Sequence, residues 1–388
     1  MKSKPMILAL AVLALASCGG NSSASASGLS ISSHASGLSI SASASGLSTS
    51  SSQEEFTFQY WNDCEALTKL KNFVTSSVTK GSEGYIAKED RLAVFDMDGT
   101  LYGELYPTYL EYVMYQYRVL EDPSYKDKAT EEQKTLAEEI KNGVMYDAEG
   151  KPVQTAGNSF PSGTDMRHAR LAAQAYAGMT LKEFNEYVQT FLAKGVPVFN
   201  NLTYASAFYL PMKEVVTYLH ENDYNVYVVS GSDRLICRSL CCDYLNIAPD
   251  HIIGMDVKFK ATEQGDTEGV NYTFKTTDTV YRTEELIIKN LKFNKVAQIC
   301  QEIGQQPVLS FGNSGGDSAM HNFTISNNPN PSAAFMLVAD DAVRDYAVLT
   351  KSAPLPQQWK DAGYNVVSMK NDFKTIYGEN VIKKPVID

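Results

Sequence analysis

The chain has 388 residues, of which 44% are apolar, and a formal net charge of −11 at pH 7. This length leaves room for one large domain or two, and the composition is that of a globular enzyme. The acidic balance, with no basic stripe anywhere, argues against a nucleic-acid partner.

The N-terminus reads "MKSKPMILALAVLALASCGG", with Lys2 and Lys4 ahead of an apolar run from Met6 to Ala16. A run of that length is too short to span a bilayer, so residues 1–17 are expected to be a signal peptide. The end of the run, Leu15-Ala16-Ser17-Cys18, resembles a bacterial lipobox. That resemblance implies a lipid on Cys18 and a membrane anchor without a spanning helix. Gly19 and Gly20 stand where an aspartate would signal inner-membrane retention, so the implied location is the cell envelope at the outer membrane. Residues 18–52 are almost all Ser, Ala and Gly, with "ASGLS" recurring at Ala26, Ala35 and Ala44. Three thin repeats cannot bury a core. A flexible tether is expected, with a span of about 30 Å.

From Glu54 onward, short β-rich runs alternate with longer helical ones. "LAVFD" (92–96) is a continuous apolar run ending in turn chemistry, the mark of a parallel strand covered on both faces. Four stretches then read as helices between Glu104 and Tyr204: "PTYLEYVMYQYRVL", "TEEQKTLAEEIKNGV", "DMRHARLAAQAYAG" and "TLKEFNEYVQTFLAK". Pro107 sits near the first start, and Thr180 with Glu183 has capping-box spacing. "YNVYVVSGS" (224–232), "QPVLSFGNSGGD" (306–317), "AAFMLVAD" (333–340) and "YNVVSM" (364–369) read as further strands, and 252–275 as a β-hairpin. The alternation predicts an α/β fold with a doubly wound, parallel, Rossmann-like sheet. Residues 53–103 and 205–388 would form its core, and 104–204 an inserted helical cap. Ligands of such sheets bind beyond the carboxyl ends of the strands.

Cys64, Cys237, Cys241, Cys242 and Cys300 form an odd, uneven set, which is no disulfide framework. "CRSLCC" lacks a second Cys/His pair at ligand spacing, which leaves it weak as a metal site. Asn201 and Asn271 open glycosylation patterns that are idle in a bacterial lipoprotein.

Three polar clusters fall at strand ends: Asp96-Met97-Asp98-Gly99-Thr100, Ser230-Gly231-Ser232, and Gly312-Asn313-Ser314-Gly315-Gly316-Asp317. Lys292 and Lys295 precede the third, at a helix start. In this order the set resembles the signature motifs of the haloacid dehalogenase-like superfamily of Mg2+-dependent phosphatases, nearest the phosphoserine phosphatase-like subgroup. The match runs from about Leu92 to Ala339. It implies that Asp96 is the nucleophile and Asp98 the acid and base, dividing phosphoryl transfer into two steps. Asp96, the backbone carbonyl of Asp98 and Asp317 would ligate Mg2+, with Asn313 supporting them. Thr100, Ser230, Gly231 and Lys295 would serve the phosphate, and Lys295 fits the lysine position better than Lys292. Many relatives carry an aspartate where Asn313 stands, so the metal site here has one charge fewer. Asp98 argues against a true dehalogenase, which lacks that acid.

Substrate choice is expected in the cap and the hairpin. Glu104 lies where relatives place an acid at the start of the cap, shifted by about one residue, and would face an amine or ammonium. Tyr102, Tyr106, Tyr109, Tyr112, Tyr115 and Tyr117 are open to two readings, an aromatic cage or core packing at helical spacing. Arg167 and Arg170 read as carboxylate binders or surface charge, and His168 as structural. The expected partner is a small phosphorylated metabolite such as phosphocholine, phosphoethanolamine or phosphoserine. Phosphotransfer and a non-catalytic binding lipoprotein are the alternatives.

Overall fold

A computed structural model describes residues 56–104, 108–146, 152–154 and 163–384. The readings for residues 1–52, Cys18 included, lie outside these residues, as do Tyr106 and Pro107. Seven strands form the main sheet: β1 (Leu92–Phe95), β2 (Asn225–Asp233), β3 (Ile252–Ala261), β4 (Val280–Ile288), β5 (Leu309–Gly312), β6 (Ala333–Val338) and β7 (Asn365–Ser368). Their order in space is β7-β6-β5-β1-β2-β3-β4. Every neighbouring pair is parallel except the edge pair β3–β4. This is the expected α/β fold with a parallel, Rossmann-like sheet. The chain leaves β1 toward β2 on one side and later fills β5 on the other, so β1 sits at the switch point where such sheets bind ligands.

Alternation in the strands explains the two covered faces. Ala93 and Phe95 of β1 belong to the large core cluster, while Val94 joins Val229, Ile253, Ile299 and Met320 in a separate cluster. The period is that of a pleated strand. Directly below the strand tips, the Phe95 and Phe311 rings stack at 4.2 Å, and Phe311 and Phe335 at 5.1 Å. These cross-strand pairs make a stiff base for the turns that leave the strand ends.

Helix α1 (Glu65–Val78) precedes the sheet. After β1 come α2 (Leu110–Leu120), α3 (Glu131–Asn142), α4 (Thr164–Ala175) and α5 (Leu181–Leu192). Thr180 and Glu183 close the expected capping box on α5, and Thr130 with Gln133 closes another on α3. Helices α6 (Leu210–Glu221), α7 (Arg234–Leu245), α8 (Phe293–Gln298), α9 (Ser318–Ile325), α10 (Leu349–Ser352) and α11 (Leu355–Asp361) complete the layers. From Phe56 onward the described residues form one compact unit. Among the described residues no helix is long and apolar enough to cross a membrane.

The hairpin differs from its sequence reading. Its first strand, β3, pairs parallel with β2 and so extends the main sheet, and its partner β4 begins only at Val280. Residues 262–279 are the connection, organised by Asp278, whose carboxylate accepts from the Glu263 and Lys275 N–H groups and the Tyr272 hydroxyl. "NYTFK" has β-prone residues, but its backbone is claimed by this turn rather than by a ladder. Two short ribbons also escaped the sequence reading: Val144–Tyr146 with Pro152–Gln154, and Phe199–Asn200 with Ile382–Lys383.

Candidate active site

Asp96 leaves the tip of β1 with its N–H donating to the Phe311 carbonyl of β5 at 2.9 Å. The Met97 carbonyl then accepts from the N–H groups of Thr100, Leu101 and Tyr102, which folds the chain back within one turn. Gly99 stands at φ +78, a conformation that favours glycine. A Cβ there would lie 1.9 Å from the Asn313 Nδ2. The turn therefore brings Asp96 and Asp98 over the same strand end, and glycine is what permits it.

The neighbouring strands supply the rest. Lys295 of α8 is 1% exposed and donates to Asp96 Oδ1 at 2.5 Å and to Asp317 Oδ1 at 2.7 Å. Lys292 lines the same cavity but makes neither contact, so of the two lysines it is Lys295 that joins the aspartates. Asp317 begins α9, where its Oδ2 accepts from the N–H groups of Asn313 and Ser314. The Asn313 amide donates to Glu104 Oε1 at 2.7 Å. Thus Asn313 holds Asp317 with its backbone and Glu104 with its side chain.

The cavity above these groups has a volume of about 280 Å3. Asp96, Asp98, Asp317, Lys295, Glu104, Gly231 and Asn313 all line it. Two expected phosphate contacts do not. Ser230 is fully buried and its Oγ accepts from the Ser232 N–H at 3.0 Å, and Thr100 is also fully buried, with an Oγ1 that has no partner. The β2–β3 register shifts between Val229 and Asp233, and Ser232 is the serine that reaches the cavity. Its hydroxyl donates to Asp98 Oδ2 at 2.7 Å. The second serine of "SGS" was the available signal, and only the local bulge says which of the two faces inward.

Burial raises the Asp96 pKa, and the Asp317 charge adds to it against the pull of Lys295. Burial likewise raises Asp98 to about 7, with Ser232 opposing and Glu111 and Glu104 assisting. Asp317 is buried too, yet Lys295 and its N–H donors hold its pKa below the usual range. Asp98 can therefore carry or lack a proton near neutrality, as a group that both gives and takes one requires.

A buried pair that sequence reasoning missed stands on the opposite wall. Lys289, just past β4, donates to Glu111 Oε1 of α2 at 2.7 Å. Glu111 Oε2 accepts from the Asp233 N–H, and the Asp233 carboxylate is held by Arg282, whose guanidinium lies 3.9 Å from the Phe184 ring centroid. The chain of contacts ties α2 and α5 to the sheet. No motif spacing announces it, because its members are far apart in sequence.

The remaining expectations divide. Of the tyrosine run, Tyr109 and Tyr112 line the cavity. Tyr102 donates to the Tyr204 carbonyl and Tyr115 to the Gln133 carbonyl, both in the core, and half-buried Tyr117 packs on Phe191, so no continuous cage forms from these residues. Arg167 pairs with Glu139 and Arg170 is exposed, and neither reaches the cavity. His168 is fully buried, packs on Tyr112 at 3.8 Å, and is kept uncharged by burial and Lys289. Its role is structural. All five described cysteines are free. No residue of the 262–279 connection lines the cavity.

Six carboxylates line this cavity, namely Asp96, Asp98, Glu104, Glu111, Asp165 and Asp317, against three lysines. Asp98 Oδ1 is buried with no hydrogen-bond partner. Among the described residues no three His, Cys, Asp or Glu side chains converge as a preformed metal cage. An excess of carboxylates over lysines and a donor set made only of oxygens nevertheless fits a hard divalent cation that takes one or two carboxylates and keeps its waters.

No protein-family model matches the chain, and no curated protein matches it. Similar solved structures include a conserved protein of unknown function from Anaerococcus prevotii, 14% identical, with a TM-score of 0.48 and coverage of 84% of this chain and 98% of that one. A cytosolic 5'-nucleotidase IIIB bound to cytidine is 12% identical, with a TM-score of 0.42 and coverage of 77% and 83%. A phosphoserine phosphohydrolase-like protein from Francisella tularensis is 15% identical, with a TM-score of 0.33 and coverage of 64% and 87%.

Proposed function

We propose that the protein is a haloacid dehalogenase-like phosphatase that hydrolyses a phosphomonoester through an aspartyl-phosphate. The observation that carries the reading is the meeting of Asp96, Asp98, Lys295 and Asp317 at adjacent strand ends, from motifs up to 221 residues apart in the chain.

In this reading an Asp96 oxygen attacks phosphorus in line as the bond from phosphorus to the alcohol oxygen breaks. Asp98 gives its proton to the departing alkoxide. Water then attacks the phosphorus of the aspartyl-phosphate, Asp98 takes up its proton, and Asp96 and inorganic phosphate are released. Ser232 orients Asp98, and Lys295 holds Asp96 beside Asp317. Mg2+, held by Asp96, Asp317 and the Asp98 carbonyl, would neutralise the phosphate oxygens.

Helices α2–α5 act as a cap over this site, in residues 104–204, with 53–103 and 205–388 as the core. Phosphocholine, phosphoethanolamine and phosphoserine remain the candidates of choice, because the carboxylate excess favours a cationic alcohol. Tyr109 and Tyr112 support this, with ring centroids 5.6 Å apart at 80° beside Glu104 and Asp165. The signal peptide, residues 1–17, would be removed, and a lipid on Cys18 would hold the enzyme in the cell envelope, with 18–52 as tether.

The test is phosphate release by the full chain from these esters and from a generic aryl phosphate. Turnover is expected to require Mg2+ and to vanish in Asp96→Asn, and undiminished turnover in that variant overturns the mechanism. Added acceptor alcohols distinguish hydrolysis from phosphotransfer through the products.

A further inference from the structure

Asp98 has to give and take a proton, yet little in the protein holds its carboxylate. Among the described residues its Oδ1 has no hydrogen-bond partner, and its Oδ2 accepts from the Ser232 hydroxyl. Where the acid points is therefore set by where Ser232 stands, and Ser232 does not stand in a regular ladder. Between the pairs Val229–Ile253 and Asp233–Met255 the chain takes four steps on β2 against two on β3. A bulge of this kind re-aims a side chain, but it also takes N–H groups out of the ladder, and buried ones then need another acceptor. The Ser232 N–H goes to Ser230 Oγ at 3.0 Å. The Asp233 N–H, on the next peptide, goes to Glu111 Oε2 at 3.2 Å.

Glu111 is the informative residue. By sequence it is an acid in the first turn of α2, where the helix dipole alone would favour it. Its carboxylate is engaged elsewhere. It is 5% exposed, its Oε1 accepts from Lys289 at 2.7 Å, and its Oε2 takes the N–H of the bulge. Asn290, beside Lys289, donates to the Ser230 carbonyl at 3.0 Å, so the bulge is gripped at both of its ends. Asp233 in turn accepts from the Leu235 N–H at the start of α7 and is held by Arg282. A buried ion pair adds little stability over apolar residues of the same size, so stability alone does not account for this one at the cavity wall.

We propose that Glu111 is a positioning residue for the general acid. By accepting the Asp233 N–H it fixes the bulge, and with it the Ser232 hydroxyl that aims Asp98 at the departing alcohol. Lys289 holds the other Glu111 oxygen and so keeps the carboxylate turned toward β2. The proposal rests on the phosphatase reading, in which Asp98 protonates the alkoxide. It gives a residue of the helical insertion a part in proton transfer, beyond substrate selection.

The test is the dependence of kcat/KM on the leaving group, measured on the full chain with Mg2+ for phenyl phosphate and p-nitrophenyl phosphate. The two esters are similar in shape, but phenol departs poorly without a proton and p-nitrophenol departs readily as its anion. Two double variants differ by one acceptor. Glu111→Gln/Lys289→Met removes both charges and keeps an oxygen for the Asp233 N–H, whereas Glu111→Met/Lys289→Met removes the oxygen as well. In the second, phenyl phosphate should lose at least about tenfold more than p-nitrophenyl phosphate, while the first keeps the ratio within about twofold. Asp98→Asn, with no proton to give, should discriminate fully, and adding the methionine pair to it should change the ratio no further. Equal losses on both esters, the same ratio in both double variants, or a further change on top of Asp98→Asn overturns the proposal. Should the methionine pair fail to fold, Glu111→Asp, which keeps a charge for Lys289 and draws its oxygens back from the Asp233 N–H, must move the ratio the same way. An unchanged ratio there also overturns the proposal. If the unmodified protein turns over neither ester, the phosphatase reading itself fails and the positioning role falls with it; turnover with an unmoved ratio fails the positioning role alone.

Discussion

Asp345→Asn should stabilise the protein at neutral pH and leave its stability in acid unchanged. Asp345 is 7% exposed, and its carboxylate accepts from the Tyr346 N–H at 2.8 Å and the Tyr377 hydroxyl at 3.0 Å. Lys383 reaches the Asp345 backbone carbonyl rather than the carboxylate. Burial therefore dominates and raises the pKa to about 6. The unfolded value is about 3.9, so the difference of some two units corresponds to roughly 3 kcal/mol. Between about pH 4 and pH 6 the folded state binds more protons than the unfolded one, so stability falls as pH rises through that window. Above it the cost is constant, and below it absent. Asparagine keeps an acceptor for Tyr346 but weakens the Tyr377 contact, which offsets about 1 kcal/mol. A net gain of about 2 kcal/mol is expected in urea unfolding at pH 7.5, shrinking to zero or below at pH 4. A variant less stable than the unmodified protein at pH 7.5, or an offset equal at both pH values, would refute the reasoning.

Three further substitutions probe the buried charges and the turn. Lys295→Met leaves Asp96 and Asp317 without their shared cation, so thermal unfolding should show a loss of about 3–5 kcal/mol together with loss of turnover. Arg282→Met strips the charge partner from buried Asp233 and the cation from Phe184. A loss of about 3–5 kcal/mol in denaturant unfolding is expected here too. Gly99→Ala forces a side chain into a left-handed position and against Asn313 and Glu104. Calorimetry should register about 1–3 kcal/mol of destabilisation, and phosphate release should fall as the Asn313–Glu104 contact is displaced.

Much of the frame is legible in the residues. "LAVFD" becomes β1 over Leu92–Phe95, and the runs at 224–232 and 333–340 become β2 and β6 with ends shifted by one or two residues. The α5 start is where Thr180 and Glu183 place it. These features depend on apolar runs, turn residues and caps, which act over a few neighbouring positions. The hairpin was less legible, because β3 both continues the parallel sheet and turns back against β4, and the pairing of a strand is not written within it.

The sequence by itself determined the order of elements and the residue types gathered at the strand ends: Asp96 and Asp98 on one turn, a lysine ahead of the last cluster, and Asp317 beyond it. Spacing along one strand or one turn carries that information, since backbone geometry is regular there. Only the tertiary structure decided which groups share the cavity. A bulge at the end of β2 turned Ser232 inward in place of Ser230, and packing turned Tyr102, Tyr115 and Tyr117 away from the cavity while Tyr109 and Tyr112 line it. It alone brought Lys289 to Glu111 across 178 residues. Such contacts depend on how whole elements pack against one another, and local residue patterns do not encode those distances.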